Sequence, residues 1–109
     1  MTIPKNLDES VDELERLFES NISEIDDMVN RDDMCLYHHS TGRHIRNEWG
    51  LWHGSELKTF LEDAGFTHPD DMSGFILDSL WNKRHSIPND KEWYDSQVAI
   101  YRKHWEKYK

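Results

Sequence analysis

This chain has a single cysteine, Cys35, among 109 residues, so no disulfide can form within it and a reducing compartment is favoured. No apolar run approaches the roughly 18 residues that a membrane-spanning helix needs. The opening MTIPKNLDES carries neither an apolar stretch nor a basic leader and does not read as a signal peptide. These absences predict a cytoplasmic protein with no membrane segment. Also missing are a P-loop, a dinucleotide fingerprint, CxxC and HExxH spacings, a facial triad and a glycine-flanked serine elbow. No cofactor and no metal are therefore expected. Apart from a short cluster near the C-terminus, basic residues form no patch that could track a phosphate backbone, so direct nucleic-acid binding is not expected either.

Acids and aromatic rings are plentiful. Hydrophobic residues make up only 36% of the chain, but five Trp, four Tyr and four Phe compensate by size and supply a core for one domain spanning 1–109. The net charge of -9 is unevenly placed. Residues 1–33 hold eleven acids against three bases, and the remainder is close to balanced. An acidic first third keeps the protein soluble and, as a docking face, suits a basic partner.

The apolar spacing is helical throughout. Leu7, Val11, Leu14, Phe18, Ile22, Ile25 and Val29 recur at steps of three and four, with Asn6 as the N-cap and a break expected near residues 20–23. Asn21 with Glu24 resembles a capping box. A helix is expected from Asp32 to about Trp49, with Cys35, His38, Gly42, Ile45 and Trp49 on one face, which makes Cys35 a packed, inert thiol. Gly42 inside that helix needs a packing or ligand-approach reason. The glycines of Trp49–Gly54 mark a turn, Ser55 caps the next helix and Gly65 closes it. Asp70 is the expected cap of a helix burying Met72, Phe75, Ile76, Leu80 and Trp81. Asn89 with Glu92 forms a second capping box before a C-terminal helix over 90–109, which places Trp93 or Tyr94, Gln97 or Val98, Tyr101, Trp105 and Tyr108 along one side. No segment alternates with period two over enough residues to predict a strand. The expected fold is all-α, a compact bundle of five or six helices.

Chemistry concentrates between residues 38 and 73, which hold five of the seven histidines, four of the five glycines, and the runs IRNEWGLW (45–52) and HPDDMS (68–73). With Pro4, His38 or His39, and Gly42, these runs resemble a family of small bacterial and phage proteins known only as a domain of unknown function. The resemblance covers about residues 3–82 and implies no activity.

From the residues alone, Arg46 and Asn47 are expected to approach Asp70 and Asp71. The bland outcome is an internal salt bridge, because a guanidinium and a carboxylate pair bidentately and buried ions are usually partnered. The functional outcome makes Arg46 an anion anchor, with Asn47, His68 and His38 or His39 as polar contacts and Trp49 and Trp52 as stacking walls. Acid–base chemistry by His38 or His39 with Asp70 or Asp71, in a hydrolase-like site, is the enzymatic alternative. Without a complete catalytic set, the leading expectation is a non-enzymatic interaction protein, of the immunity or anti-defence type, that meets a basic protein through its acidic N-terminal helices.

Overall fold

The structure, a computed structural model, describes residues 3–107. Six α-helices and one 3-10 helix occur among the described residues, with no strand. The first helix, α1 (Leu7–Leu17), starts where the Asn6 side chain accepts the Glu9 N–H at 2.9 Å, and it buries Leu7, Val11 and Leu14. The expected break follows, and α2 (Ile22–Asp26) brings Ile25 into the core. The apolar row ends there. Val29 is 84% exposed, because the chain has already left the helix and steps of four no longer map onto one face. The capping box at Asn21 does not form. The Glu24 carboxylate instead accepts the Tyr37 hydroxyl at 3.0 Å.

The long helix expected over residues 32–49 is two elements, a 3-10 helix (Arg31–Tyr37) and α3 (Thr41–Glu48). The reason lies in RDDMCLY, whose inward residues are three apart. A 3-10 helix eclipses side chains at that spacing. Met34 and Tyr37 go into the core, and Arg31 lies over the Trp93 ring at 4.4 Å while donating to Asn82 Oδ1 at 2.9 Å. The same threefold period turns Cys35 outward, so the thiol is exposed rather than packed.

Gly42 has a packing reason: a Cβ there would stand 3.0 Å from Arg46 Nη1 and 3.4 Å from the Tyr37 carbonyl oxygen. After α3 the chain reverses at Gly50 (φ +73), where a Cβ would meet the Gly54 carbonyl at 2.8 Å. Ser55 fastens this turn by donating to the Trp49 carbonyl and accepting from Lys58 N–H, which opens α4 (Glu56–Ala64). Gly65 closes α4 in the left-handed region, as expected.

The central element is α5 (Pro69–Arg84), which touches α1, α2, the 3-10 helix and α3. Proline takes the first helical position and His68 the cap position, so Asp70 lies within the first turn and is not the cap. Met72, Phe75, Ile76, Leu77, Leu80 and Trp81 are buried around much of its circumference. Its basic C-terminal end holds the acidic helices: Lys83 Nζ meets Asp12 Oδ1 at 2.8 Å and also pairs with Glu15. Arg84 grips both Asp26 oxygens, at 2.7 and 2.8 Å, and reaches Glu15.

The last helix, α6 (Lys91–Glu106), is capped by Asp90 rather than by Asn89. Asn89 is diverted into the core edge, donating to the Ser79 carbonyl and accepting from Asn82. Trp93, Gln97 and Val98 are buried, with Tyr94 and Tyr101 partly so. Tyr108 lies outside the described residues.

Ser86 is the one non-glycine residue with positive φ (59°) among the described residues. It ends α5 through Ser86 N–H to Lys83 O and Ile87 N–H to Asn82 O bonds, a left-handed cap that glycine adopts without steric cost. Ser86→Gly should therefore raise the unfolding free energy by about 1 kcal/mol, read as a higher urea midpoint at unchanged slope.

Candidate binding cleft

The 3-10 helix, α5 and α6 enclose a cleft of about 310 Å3. The period of three in the first element aligns Asp32, Cys35 and His38 along one wall. On α5, Asp71, Gly74 and Asp78 stand three and four residues apart and so share a face, with Asp70 beside them. Gly74 leaves room for Tyr101 of α6: a Cβ at that position would lie 3.2 Å from the Tyr101 hydroxyl.

Burial governs the titration of this cleft. Asp78 makes no hydrogen bond or ion pair among the described residues, and burial pushes its carboxyl up to about 7, with nearby Asp32 adding to the shift and Arg31 only partly opposing it. Asp71 is also raised by burial, although the Trp105 indole N–H donates to its Oδ2 at 2.7 Å and favours the ionised form. His38 is held below the ordinary imidazole value, first by burial and then by the Arg46 charge, against the pull of Asp70. The Tyr101 phenol is raised by burial and by the charges of Asp78 and Asp71. The site thus gathers four carboxyl groups around an imidazole that favours its neutral form.

Arg46 stands behind this cleft rather than in it. Its guanidinium is 7% exposed as a residue and is fully engaged: Nη1 donates to Ser73 Oγ at 2.9 Å, Nη2 to the His38 carbonyl at 3.2 Å, and Nε lies 3.3 Å from Asp70 Oδ1. The runs IRNEWGLW and HPDDMS therefore do meet, through Arg46, Asp70 and Ser73. Asp71 does not pair with Arg46. Each guanidinium nitrogen thus already has a partner inside the protein, and an anion anchored at Arg46 would have to displace one of them.

Of the remaining sequence candidates, Asn47 is on the surface, Trp52 is 51% exposed and Trp49 is a core residue, so these three form no shared pocket with Arg46. His39 is exposed and meets His38 edge-on, with ring centroids 5.1 Å apart. His68 stacks on Trp105 at 3.8 Å, which fastens the end of α6 to the start of α5. The cleft keeps only His38, Asp70 and Asp71 from the expected set. It adds Asp32, Cys35, Asp78 and Tyr101, and of these Asp78 left a trace in the sequence: one acid inside the apolar run GFILDSLW. No group of three or more His, Cys, Asp or Glu side chains is placed to hold a metal ion among the described residues. Four carboxyl groups in a partly enclosed cleft favour a positively charged guest, which reverses the sign of ligand that an Arg46 anchor would select.

Two measurements follow from these environments. An unfolded aspartate ionises near 4, whereas folded Asp78 holds its proton to about 7, so the folded chain binds more protons between those values. Stability from this group is greatest below pH 4, falls as pH rises to 7 and stays lowest above it, by at most about 4 kcal/mol. Asp78→Asn should remove that slope and raise the melting temperature at pH 8 relative to the parent chain. Arg46→Ala should cost about 3 kcal/mol in urea unfolding, and Arg46→Lys should recover little, since one ammonium cannot reach three acceptors set for a fork.

Comparison with known proteins finds no match among curated proteins and none among solved structures. One family model matches residues 3–84, described as a domain of unknown function (DUF6794). The match ends at the last residue of α5, and α6 lies beyond it. Because it covers more than half of the chain, the protein belongs to this DUF6794 family.

Proposed function

We propose that this chain is a small non-enzymatic binding protein that takes a basic protein partner, of the kind expected for an immunity or anti-defence accessory. The observation that carries this reading is the state of Asp32 and Asp78, two carboxyl groups facing one cleft with neither a hydrogen bond nor an ion pair among the described residues. The acidic first third supports it only in part. Asp12, Glu13, Glu15 and Asp26 are already tied to Lys83, Arg84 and Arg16, so the faces of α1 and α2 nearest α5 serve the fold. Asp8, Glu19, Asp27, Asp32 and Asp33 are exposed and enter no ion pair among the described residues, and these residues with the cleft are what a partner meets. A lysine or arginine side chain entering the cleft gains the field of several carboxylates and favours the ionised form of Asp78. A cytoplasmic setting fits an exposed single thiol.

The test uses a lysine-rich peptide titrated calorimetrically at about 50 mM and about 300 mM salt, with screening expected to weaken binding at the higher value. Asp32→Asn with Asp78→Asn should lower affinity about tenfold or more at pH 8, and because the second substitution stabilises the fold, that loss is not unfolding. Absence of binding at low salt, or affinity indifferent to both substitutions, overturns the reading.

A further inference from the structure

The 3-10 helix has a third row of side chains, after the buried row and the row along the cleft. Asp33 and Leu36 stand three residues apart on it and both face solvent, with Leu36 63% exposed. Just upstream, Val29 is 84% exposed, in a segment that also carries exposed Asp27 and Asp32. Two large aliphatic side chains this open to water, among three carboxylates, contrast with the faces of α1 and α2 nearest α5, where Asp12, Glu15 and Asp26 are bound to Lys83 and Arg84.

The local charge is also unbalanced for a structural reason. Arg31 is the only basic residue between Asp27 and Leu36, and its guanidinium is turned inward over Trp93 and bonded to Asn82. It therefore leaves the carboxylates of Asp27, Asp32 and Asp33 without an ion pair among the described residues.

Resting on the reading of a basic partner given above, we propose that the segment Asp27–Leu36 is the surface it docks on, and that the partner contributes an amphipathic basic segment. Apolar side chains of that segment cover Val29 and Leu36, and its lysine or arginine residues answer Asp27, Asp32 and Asp33. Charge brings the two together, and the aliphatic pair selects an amphipathic segment over a merely basic one.

Cys35 sits on the same helix, exposed, and is the chain's only thiol, so it reports on this surface without engineering. The probes are two synthetic peptides of equal length and charge, one a lysine–leucine amphipathic helix and the other lysine with glycine and serine. The 109-residue chain should bind the amphipathic peptide about tenfold more tightly, and that peptide should slow alkylation of Cys35 by iodoacetamide severalfold. Val29→Ser with Leu36→Ser, two surface changes checked for folding by circular dichroism, should abolish the preference while leaving affinity for the hydrophilic peptide unchanged. If both peptides bind equally well, if the preference survives the double substitution, or if Cys35 alkylates at its free rate in the complex, the docking surface is elsewhere and this inference falls while the basic-partner reading stands. If neither peptide binds, both fall together.

Discussion

A helix packed on nearly every side sets the terms for this protein. With so little of α5 facing water, each polar group along it must be answered by the protein itself or remain in a low-dielectric setting. Most are answered from a different element. Ser73 takes the Arg46 guanidinium from α3, Asp71 takes the Trp105 indole and Ser79 the Trp93 indole from α6, and Asn82 accepts from Arg31 of the 3-10 helix. Lys83 and Arg84 draw in α1 and α2 through Asp12, Glu15 and Asp26. The bundle is thus specified by these polar connections as well as by its apolar contacts. Asp78 is the exception, a carboxyl group in the same helix that no side chain answers among the described residues, and it opens onto the cleft.

The same economy divides the acidity. A charge of -9 concentrated near one end of a sequence suggests a uniform acidic face. In three dimensions some of these acids, Asp12, Glu15 and Asp26, are consumed by the end of α5, while others, among them Asp27, Asp32 and Asp33, enter no ion pair among the described residues. Ion pairs as exposed as Lys83–Asp12 contribute little each, but as a network around one helix end, where the dipole favours cations, they set how α1 and α2 lie against α5. The acids left over enter no ion pair among the described residues, and the proposed partner is matched to them.

Much of the fold was legible. Steps of three and four fixed the helical class, and Asn6, Ser55 and Gly65 marked real boundaries, because capping is a local interaction among a few consecutive residues. The failures share a cause. Asn21 and Asn89 are local capping signals that yielded to distant partners: Tyr37 took Glu24, and Ser79 with Asn82 took Asn89. The merged helix over residues 32–49 failed on period, since a stretch with apolar residues three apart reads equally as α or 3-10 until something packs against it. Of the candidate site, the approach of Arg46 to Asp70 was foreseeable from opposite charge within short polar runs, but which donors remained free was not.

By itself, then, the order of residues determined the all-α class, the main turns and the meeting of IRNEWGLW with HPDDMS, because helix periodicity, capping and charge pairing act between near neighbours or plainly complementary groups. Only the tertiary structure decided that Arg46 is spent, that Asp78 and Asp32 share a cleft with His38, and that Leu36 and Val29 face water. Those outcomes depend on which side chains from distant helices pair most favourably with each buried polar group, and chain order does not encode that competition locally.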